Sequence, residues 1–412
     1  MVPKGWKEVK LGEVIKHQKG YAFKSDSYIN GGVRIIRISD TTRDSIHDKS
    51  PVYIDEDETA SLSQYKLNTE DIILSTVGSR PHLLDSMVGK AVKVPAKDEG
   101  ALLNQNLVKI VPKDNLITNN YLFSMITKSK FNYFISTLVR GNANQVSITL
   151  KELFAYTFPL PSLPEQQKIA KILSTWDKAI STTERLIGNS TQQKKALMQQ
   201  LLTGKQRLAG FDKEWISEPL ENVVGKIYGG GTPSKNVPEY WDGDIPWVTV
   251  KDLIATKIDG AQQYINKFGL ENSSANMVPA GTVIIATRMA LGKAVIASCD
   301  VAINQDLKAI TGSPKIDSVF LHYWLLLQAK AIEKLGTGST VKGVQLETIK
   351  SLRMQIPSSI QEQQKIATVL TNADKEIELL EQQLADLQQE KKALMQVLLT
   401  GKRRVMIDGE VA

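Results

Sequence analysis

Two stretches of the chain place apolar and polar residues at the spacing of a long helix with one apolar edge. Apolar residues recur there every three or four residues, which is the pattern of a coiled-coil seam. In the first stretch the seam positions are Ile169, Leu173, Trp176, Ile180, Ile187 and Leu197, with Thr183, Ser190 and Lys194 as polar members. In the second stretch they are Ile366, Leu370, Ile377, Leu380, Leu384, Leu387 and Leu394, with Lys391 as the polar member. Both stretches are predicted to be long helices that contact a partner along this seam.

The two stretches are copies of one another. Residues 165–205 align without gaps on residues 362–402, with 23 identities in 41 positions. A Ser-x-x-Glu capping box, which begins a helix, stands at the start of both copies, and a glycine that can end a helix stands at the end of both. These residues are Ser162, Glu165, Ser359, Glu362, Gly204 and Gly401. Such self-similarity at a fixed offset indicates an internal repeat.

The charges of the two copies are complementary. The first copy carries seven basic and three acidic residues, net +4, whereas the second carries five basic and seven acidic residues, net −2. At about 1.5 Å per residue each helix is roughly 60 Å long, which exceeds what a domain of about 150 residues can cover. We therefore predict that the helices pair with each other as an antiparallel coiled coil. The alternative is that each helix packs only against its own globular part.

The segments that precede the two helices also repeat one another. The matching segments are 6–14 and 215–223, the GKAV motifs at 89–92 and 292–295, and the Asn-Gln pairs at 104–105 and 304–305. The recurrence of the Asn-Gln pair favours a shared structural turn, and the alternative is that these residues read bases. Short β-branched runs mix with short helical segments between Gly and Pro residues, so each part is predicted to be a compact α/β domain.

The predicted fold class is α+β, with two α/β domains related by a pseudo-two-fold axis and separated by two long helices. The predicted boundaries are 1–161 for the first domain, 162–204 for the first helix, 205–358 for the second domain, 359–402 for the second helix and 403–412 for a C-terminal tail.

Composition narrows the class of protein. The chain has 412 residues, with 51 Lys plus Arg against 44 Asp plus Glu, and its net charge of +7 favours a polyanionic partner. Cys299 is the only cysteine, so no intrachain disulfide can form and a reducing compartment is expected. No segment has the pattern of a membrane span or of a signal peptide. We therefore expect a cytoplasmic protein.

Several motifs together resemble one known family. They are LPEQQKIA at 163–170, the paired ALMQ and LLTGK segments within 196–205 and 393–402, GGGTPS at 229–234, PEYW at 238–241 and DIPWV at 244–248. With the order globular domain, long helix, globular domain, long helix, this set resembles the specificity subunits of type I restriction-modification systems over essentially the whole chain. One segment departs from the pattern, since residues 20–25 (GYAFKS) are only a loose counterpart of GGGTPS.

The resemblance implies a division of labour. Each globular part would be a target-recognition domain that reads one half of a split, asymmetric site on double-stranded DNA, and the helix pair would set the spacing. The helix pair would also dock two methyltransferase subunits, and restriction or motor subunits would join for cleavage. The methyltransferase and endonuclease activities would reside in those partners, which would bind S-adenosylmethionine, ATP and Mg²⁺. The chain itself is therefore expected to be non-catalytic.

The sequence lacks recognisable catalytic and metal-binding motifs. An adenine methyltransferase needs an Asn/Asp-Pro-Pro-aromatic motif, and this chain contains no Pro-Pro pair. Its four histidines and single cysteine lack zinc spacing, so neither catalytic nor metal-binding residues are predicted. The glycine triplet at 229–231 could cradle a phosphate through its N–H groups or could form a simple turn. The sequence is compatible with both interpretations.

Direct reading of DNA requires Arg or Lys for guanine and phosphate, and Asn or Gln for adenine, on loops that reach the major groove. In the first domain the candidates are Lys24, Arg43, Ser79, Arg80, Lys90 and Asn142. In the second domain they are Thr232, Ser234, Lys235, Arg288, Lys293 and Lys342. The competing hypothesis is a coiled-coil scaffold without sequence-specific DNA binding, whose DNA binding would be weak and insensitive to salt. A third hypothesis is a fused restriction or methylation enzyme.

Overall fold

The computed structural model describes residues 2–42, 45–79, 88–139, 146–337 and 342–407. The chain forms two compact units: unit 1 comprises Met1–Thr182 and Leu384–Ala412, and unit 2 comprises Thr183–Gln383. Each unit therefore contains one globular part and one half of each long helix. Among the described residues, no helix is long and apolar enough to cross a lipid bilayer.

Unit 1 is built mainly from short strands joined by short helices. Its strands are β1 (Lys7–Lys10), β2 (Ile15–Lys19), β3 (Val33–Ile36), β4 (Val52–Ile54), β5 (Ile72–Ser75), β6 (Val77–Gly78), β7 (Ala91–Lys93), β8 (Leu102–Leu103), β9 (Leu107–Pro112), β10 (Val146–Ser147) and β11 (Thr157–Leu160). Its helices are α1 (Leu11–Val14), α2 (Asn119–Ile126), α3 (Ser129–Leu138) and α4 (Leu150–Phe154), and the long helix α5 (Leu163–Leu201) begins here.

Unit 2 follows the same plan. Its strands are β12 (Trp215–Pro219), β13 (Ile227–Gly229), β14 (Trp241–Val248), β15 (Lys257–Ile258), β16 (Gln263–Ile265), β17 (Asn276–Val278), β18 (Val283–Ala286), β19 (Ala294–Ala297), β20 (Val301–Ile303), β21 (Leu307–Ile310) and β22 (Arg353–Pro357). Its helices are α6 (Leu220–Val223), α7 (Lys267–Glu271), α8 (Ser318–Leu335) and α9 (Leu346–Lys350), and the long helix α10 (Ile360–Leu398) begins here.

The main sheets of the two units share the order of four strands, and unit 2 adds a fifth strand at one edge. The main sheet is β2-β9-β5-β7 in unit 1 and β13-β21-β18-β19-β15 in unit 2. The central strands β5 and β18 are buried along their length and apolar except for Ser75 at the end of β5, because each has core residues on both faces. A smaller sheet contains a parallel pair in each unit, β3 with β8 and β14 with β20. The first and last strands of each globular part also pair, β1 with β11 and β12 with β22. The structure thus confirms the internal repeat.

The ends of both long helices lie inside the cores of the units. The core of unit 1 contains Ile169 and Leu173 of α5, together with Leu398 and Leu399 from the end of α10. The core of unit 2 contains Leu201 and Leu202 from the end of α5, together with Ile366 and Leu370 of α10. Burial of each such side chain stabilises the fold by about 1.5–3 kcal/mol. Each unit therefore anchors the start of one long helix and the end of the other.

Between these anchors the two helices pack together and run antiparallel, as predicted. The predicted seam residues Trp176, Ile180, Ile187, Leu197, Ile377, Leu380, Leu384, Leu387 and Leu394 are all half-buried. Polar seam members link the helices, and the pairs are Asp177 with Lys391 in unit 1, and Lys194 with Asp374 and Ser190 with Glu376 in unit 2. The two lysines occupy equivalent positions in the repeat, so each unit uses the same kind of Lys–Asp pair across the seam.

A buried carboxylate stands at the start of each long helix. Glu362 in unit 2 is 0% exposed and accepts hydrogen bonds from Nε and Nη2 of Arg207 at 3.0 and 2.7 Å, and from Nε1 of Trp215 at 3.3 Å. Hydrogen bonding to this carboxylate raises the pKa of Arg207. Because Arg207 follows the end of α5, the start of one long helix is bonded to the end of the other.

Unit 1 repeats this arrangement with different residues. Glu165 accepts from Nε and Nη2 of Arg404 at 2.5 and 2.9 Å, and from Nε1 of Trp6 at 3.0 Å. Arg404 also donates to the carbonyl of Lys4 at 2.8 Å, so residues near both ends of the chain meet here. The glutamates expected only to cap their helices therefore have tertiary partners, which the capping-box pattern does not reveal.

A glutamine next to each glutamate ties the helix to its globular part. The side-chain oxygen of Gln363 accepts from the backbone N–H of Asp317 at 2.9 Å, and its nitrogen donates to the carbonyls of Lys315 and Pro357 at 3.0 and 2.9 Å. Gln166 makes the equivalent three bonds in unit 1, with Thr118, Leu116 and Pro161. Each amide thereby connects its long helix to two segments of the globular part. These segments are the loop before α2 in unit 1 or α8 in unit 2, and the end of the last strand.

The two predicted helix-ending glycines are left-handed in the structure. Gly204 has a φ of +69° and Gly401 a φ of +68°, a region that favours glycine. A Cβ atom at Gly401 would lie 2.3 Å from Cγ of Pro3, so the close approach of the chain ends also requires glycine here.

Helix α8 carries a buried histidine without a hydrogen-bond partner among the described residues. His322 is 0% exposed, and both ring nitrogens are unpaired there. Burial lowers its pKa to about 4; Asp374 acts in the opposite direction and Lys194 in the same one. His322 lies five residues after Asp317, the N-cap of α8 that bonds to Gln363. The residue five positions after Thr118, the equivalent N-cap of α2, is Phe123.

Removal of the negative charge at the start of α10 is expected to destabilise unit 2. In Glu362→Gln the buried acceptor loses its charge, at a cost of about 2 kcal/mol in the free energy of unfolding. Glu381→Gln, on an exposed position of the same helix, is the matched control and is expected to have no measurable effect. Urea unfolding gives both values, and hydrogen exchange at residues 360–370 localises the loss. Equal stability of the two variants would contradict this account.

Acidification is expected to destabilise the chain through His322. Between pH 6.5 and about 4 the unfolded chain binds a proton that the folded chain does not, so this contribution to stability is present above pH 6.5 and falls as the pH falls. The full loss is about 3 kcal/mol. His322→Phe, which copies Phe123, should remove this component, and thermal unfolding at pH 7 and pH 5 measures it. An unchanged difference between the two pH values in the variant would refute the assignment.

Candidate nucleic-acid interface

Several loops meet at one end of the main sheet of unit 2. Strand β13 ends beside the start of β21, since Gly229 pairs with Lys308, and β18 ends beside the same strand, since Ala286 pairs with Leu307. The loop after β13, the β18–β19 turn and the β20–β21 turn therefore share one edge. Residues 342–344 join them through backbone hydrogen bonds to the β18–β19 turn. We call this edge the loop surface of unit 2.

Two glycines of the triplet are required by close packing at this surface. A Cβ atom at Gly230 would lie 1.8 Å from the carbonyl oxygen of Ile303, and one at Gly231 would lie 1.9 Å from Oγ of Ser274. The carbonyl of Gly231 accepts from Nε1 of Trp247 at 3.0 Å. The triplet thus holds the loop close to β20. This packing accounts for Gly230 and Gly231, and the phosphate-binding interpretation stays a prediction.

The recurrent Asn-Gln pair belongs to the same structural turn in both units. In unit 2 the side chain of Asn304 bonds to the side chain and backbone of Asp306, whose carbonyl accepts from the backbone N–H of Thr287 at 2.9 Å. In unit 1 the carbonyl of Asn106 accepts from the backbone N–H of Thr76 at 3.0 Å. The turn predicted from its recurrence is therefore present, and it fixes the neighbouring loops.

Several candidate DNA-contacting residues come together on the loop surface of unit 2. Thr232 donates to Oε1 of Gln305 at 2.6 Å, and Nη1 of Arg288 lies 3.8 Å from Oδ1 of Asp306, so both are linked to the shared turn. The carbonyl of Lys342 accepts from a backbone N–H of the β18–β19 turn at 3.2 Å. The candidates Ser234, Lys235 and Lys293 are exposed on the same loops.

The set of predicted DNA-contacting residues omits two residues that lie on this surface. Gln305 is exposed and bonded to Thr232, and the ammonium of Lys308 donates to the carbonyls of Gln305 and Leu307 at 3.1 and 3.3 Å. Burial is the main cause that lowers the pKa of Lys308. A signal for Lys308 exists in the sequence, since it is the charged residue of the otherwise apolar strand β21.

The corresponding surface of unit 1 is described in part. Gly20 is placed like Gly230, since a Cβ atom there would lie 2.0 Å from the carbonyl oxygen of Asn104. Tyr21, which is 42% exposed, contacts Phe23 edge to face with 5.0 Å between ring centroids.

The remaining candidates of unit 1 differ in accessibility. Lys24 is exposed, and Ser79 is half-buried with its carbonyl accepting from the backbone N–H of Val88 at 2.9 Å. The candidates Arg43, Arg80 and Asn142 lie outside the described residues. The structure therefore places only part of the predicted set in this unit.

The two GKAV lysines have opposite environments. Lys90 is 6% exposed, and its ammonium donates to the carbonyl of Thr41 at 2.7 Å. Lys293, at the same place in the second motif, is exposed. The ammonium of Lys90 is therefore turned inward in this structure and does not face the loop surface of its unit, whereas Lys293 stays a candidate contact.

The loop surfaces offer cations and hydrogen-bond donors, which suit non-covalent recognition of an anionic polymer. Within the parts of the chain that the structure describes, no three His, Cys, Asp or Glu side chains are grouped as ligands for a metal ion.

Two similar α/β units, an antiparallel helix pair anchored in both and polar loop surfaces define a recognition protein built from an internal repeat. The chain belongs to the family described as Type I restriction modification DNA specificity domain, whose sequence profile matches it twice, over residues 3–188 and 213–389. The family match confirms the resemblance seen in the motifs.

Relatives of known class agree with this family. The chain is 26% identical over 416 aligned positions to the putative type I restriction enzyme MjaX specificity subunit of Methanocaldococcus jannaschii, covering 98% of this chain and 95% of the relative. It is 30% identical over 223 positions to the EcoR124I/EcoR124II specificity subunit of Escherichia coli, covering 52% of this chain and 53% of the relative.

Solved structures share the fold. The type I restriction-modification S subunit from M. genitalium superimposes with a TM-score of 0.61 at 13% identity, covering 96% of both chains. A chain from a type I restriction-modification system, solved in a study of complex assembly and conformational transition, gives a TM-score of 0.61 at 18% identity over 98% of this chain and 100% of its own.

Truncation of the two GKAV lysines is expected to separate a structural role from a surface role. Lys90→Ala removes a buried charged donor and should lower the free energy of unfolding by about 2 kcal/mol. Lys293→Ala is the matched control and should leave it unchanged, because that side chain is exposed. Urea unfolding of the two variants beside the parent chain measures both effects. Equal free energies of unfolding for the two variants would show that the buried ammonium of Lys90 does not stabilise the fold.

Proposed function

We propose that this chain is the specificity subunit of a type I restriction-modification complex, in which units 1 and 2 each read one half of a split, asymmetric site on double-stranded DNA. The observation that carries the proposal is that the two units share one backbone scaffold but place different side chains at equivalent loop positions. Thr232 lies two residues after Gly230, and the residue two positions after the equivalent Gly20 of unit 1 is Ala22. Arg288 follows Thr287, and the residue after the equivalent Thr76 of unit 1 is Val77. Because the donors differ on a common scaffold, the two half-sites differ in sequence.

The charge of the chain and of its loops supports DNA as the ligand. The chain carries a net charge of +7, and exposed cations lie on the loop surface of unit 2 beside amide and hydroxyl groups. Cations contact phosphates and guanine, and amides and hydroxyls contact other base edges. Affinity should therefore fall steeply with salt as counterions are released.

The partners follow from the family and from the long helices. The helix pair sets the spacing between half-sites and docks two methyltransferase subunits, and restriction or motor subunits join for cleavage. Methylation and cleavage, with S-adenosylmethionine, ATP and Mg²⁺, take place in these partners, so this chain is not an enzyme and acts in the cytoplasm. The outer faces of α5 and α10 support docking, since they are polar and exposed but include apolar Leu186 and Leu379.

Co-expression with a methyltransferase subunit tests the proposal directly. Mapping of every methylated adenine in the host genome is expected to give one bipartite, non-palindromic sequence that is absent without this chain. Binding of the purified complex to that sequence should weaken linearly on a double-logarithmic plot against salt. Salt-insensitive binding without sequence preference would favour the scaffold hypothesis, and methylation by the chain alone would establish an enzyme.

Lengthening of both long helices is expected to widen the gap between the half-sites. Seven residues inserted between Thr182 and Thr183, and seven between Gln383 and Leu384, keep the seam phase and the pairs within each unit. Each insertion adds about 10 Å of helix, which corresponds to roughly three base pairs. Adenine mapping gives the new gap. Insertion into α5 alone is the control and should abolish bipartite methylation, whereas an unaltered gap in the double insertion would refute the ruler.

A further inference from the structure

The β18–β19 turn of unit 2 holds a methionine in an unfavourable backbone conformation. Met289 has a φ of +63°, and the backbone N–H of Ala290 donates to the carbonyl of Arg288 at 2.8 Å. These two features define a three-residue turn with a positive central φ, a form that is rare and strained. Strain of this kind persists only where the surroundings fix it, and it concentrates at functional sites.

The surroundings do fix this turn. The backbone N–H of Met289 donates to the carbonyl of Lys342 at 3.2 Å, and that of Val344 donates to the carbonyl of Thr287 at 2.8 Å. On the other side, Gly292 lies so close to α8 that a Cβ atom there would be 2.6 Å from Cα of Ala329. The methionine is therefore held on a braced turn.

The side chain of Met289 faces solvent. It is 65% exposed, although methionine is apolar, and its neighbour Arg288 is exposed as well. Stability alone would favour glycine here, because glycine adopts a positive φ without strain and exposes no apolar side chain. The turn thus tolerates both backbone strain and an exposed apolar side chain, and it presents one thioether within a cationic loop surface.

We propose that Met289 is a specificity-determining residue that contacts the C5-methyl group of a thymine in the half-site read by unit 2. This inference rests on the proposed function and deepens it. In the major groove, the C5-methyl group is the apolar feature that marks an A·T pair by its thymine edge. A flexible, polarisable thioether fits such a group, and the flanking Arg288 and Lys342 are placed to contact phosphates or neighbouring base edges.

The test removes the methyl group and nothing else from the DNA. Duplexes carrying the mapped site are prepared with each dT of both half-sites replaced singly by dU, and their affinity for the complex of this chain with its methyltransferase subunits is measured by fluorescence anisotropy. One dU in the half-site read by unit 2 is expected to weaken binding about fourfold, the effect of one buried methyl group.

Variants of Met289 assign that effect to the side chain. Met289→Ala should bind the dT and dU duplexes equally at that position, whereas Met289→Leu, which keeps the apolar bulk, should retain the discrimination. Met289→Gly should lose the discrimination while its unfolding temperature is unchanged or raised, since glycine relieves the backbone strain. This variant separates loss of contact from loss of fold. Single dU substitutions in the other half-site should affect all variants alike.

The outcomes that overturn the inference are distinct from those that overturn the proposed function. A complex that binds no bipartite site overturns both. A complex that binds its site, but shows no dU-sensitive position in the half-site of unit 2, overturns only the methyl contact. The same holds if the discrimination persists in Met289→Ala, or if that half-site contains no A·T pair.

Discussion

The structure depends on two carboxylates that are taken out of water at the starts of the long helices. A buried carboxylate requires a charged partner, and for Glu362 and Glu165 that partner is an arginine placed just beyond the end of the opposite helix. Desolvation offsets much of the attraction, so such a pair contributes more to defining geometry than to stability. Since each arginine can reach its glutamate only when the helices are antiparallel and correctly aligned, the two pairs specify the arrangement of the helices in each unit.

The same helix turns also fix the globular parts. The amides of Gln166 and Gln363 use their oxygen and both N–H groups on the loop before α2 or α8 and on the last strand. A side-chain amide with its bonds satisfied by backbone groups from separate segments restricts those segments to one arrangement. The scaffold is therefore tied together in the same way where the helix enters each unit, although the loops at the sheet edge carry different side chains. A shared scaffold with unlike loop side chains suits the reading of unlike half-sites.

Local patterns in the sequence predict the long helices, their seam, their glycine ends and the internal repeat, because each has a periodic or short-range signature. Other features have no local signature. Lys194 and Lys391 look like interruptions of the seam, yet each pairs with an aspartate on the opposite helix more than 170 residues away. Lys90 and Lys293 lie in identical tetrapeptides, but Lys90 is buried and bonded to a carbonyl of another loop, whereas Lys293 is exposed. For the loop surface of unit 2, the residue types could be predicted, whereas their convergence depends on tertiary contacts.

The meeting of the chain ends in unit 1 has a consequence for how the protein is made. Trp6 and Lys4 contact Arg404, and the core of unit 1 includes Leu398 and Leu399. During synthesis at roughly 5–20 residues per second, the first strand is therefore on the order of 20 to 80 s older than the residues that complete its core. Unit 2, by contrast, is continuous along the chain. The globular part of unit 1 therefore emerges from the ribosome before unit 2, but its core can be completed only after unit 2 has been synthesised.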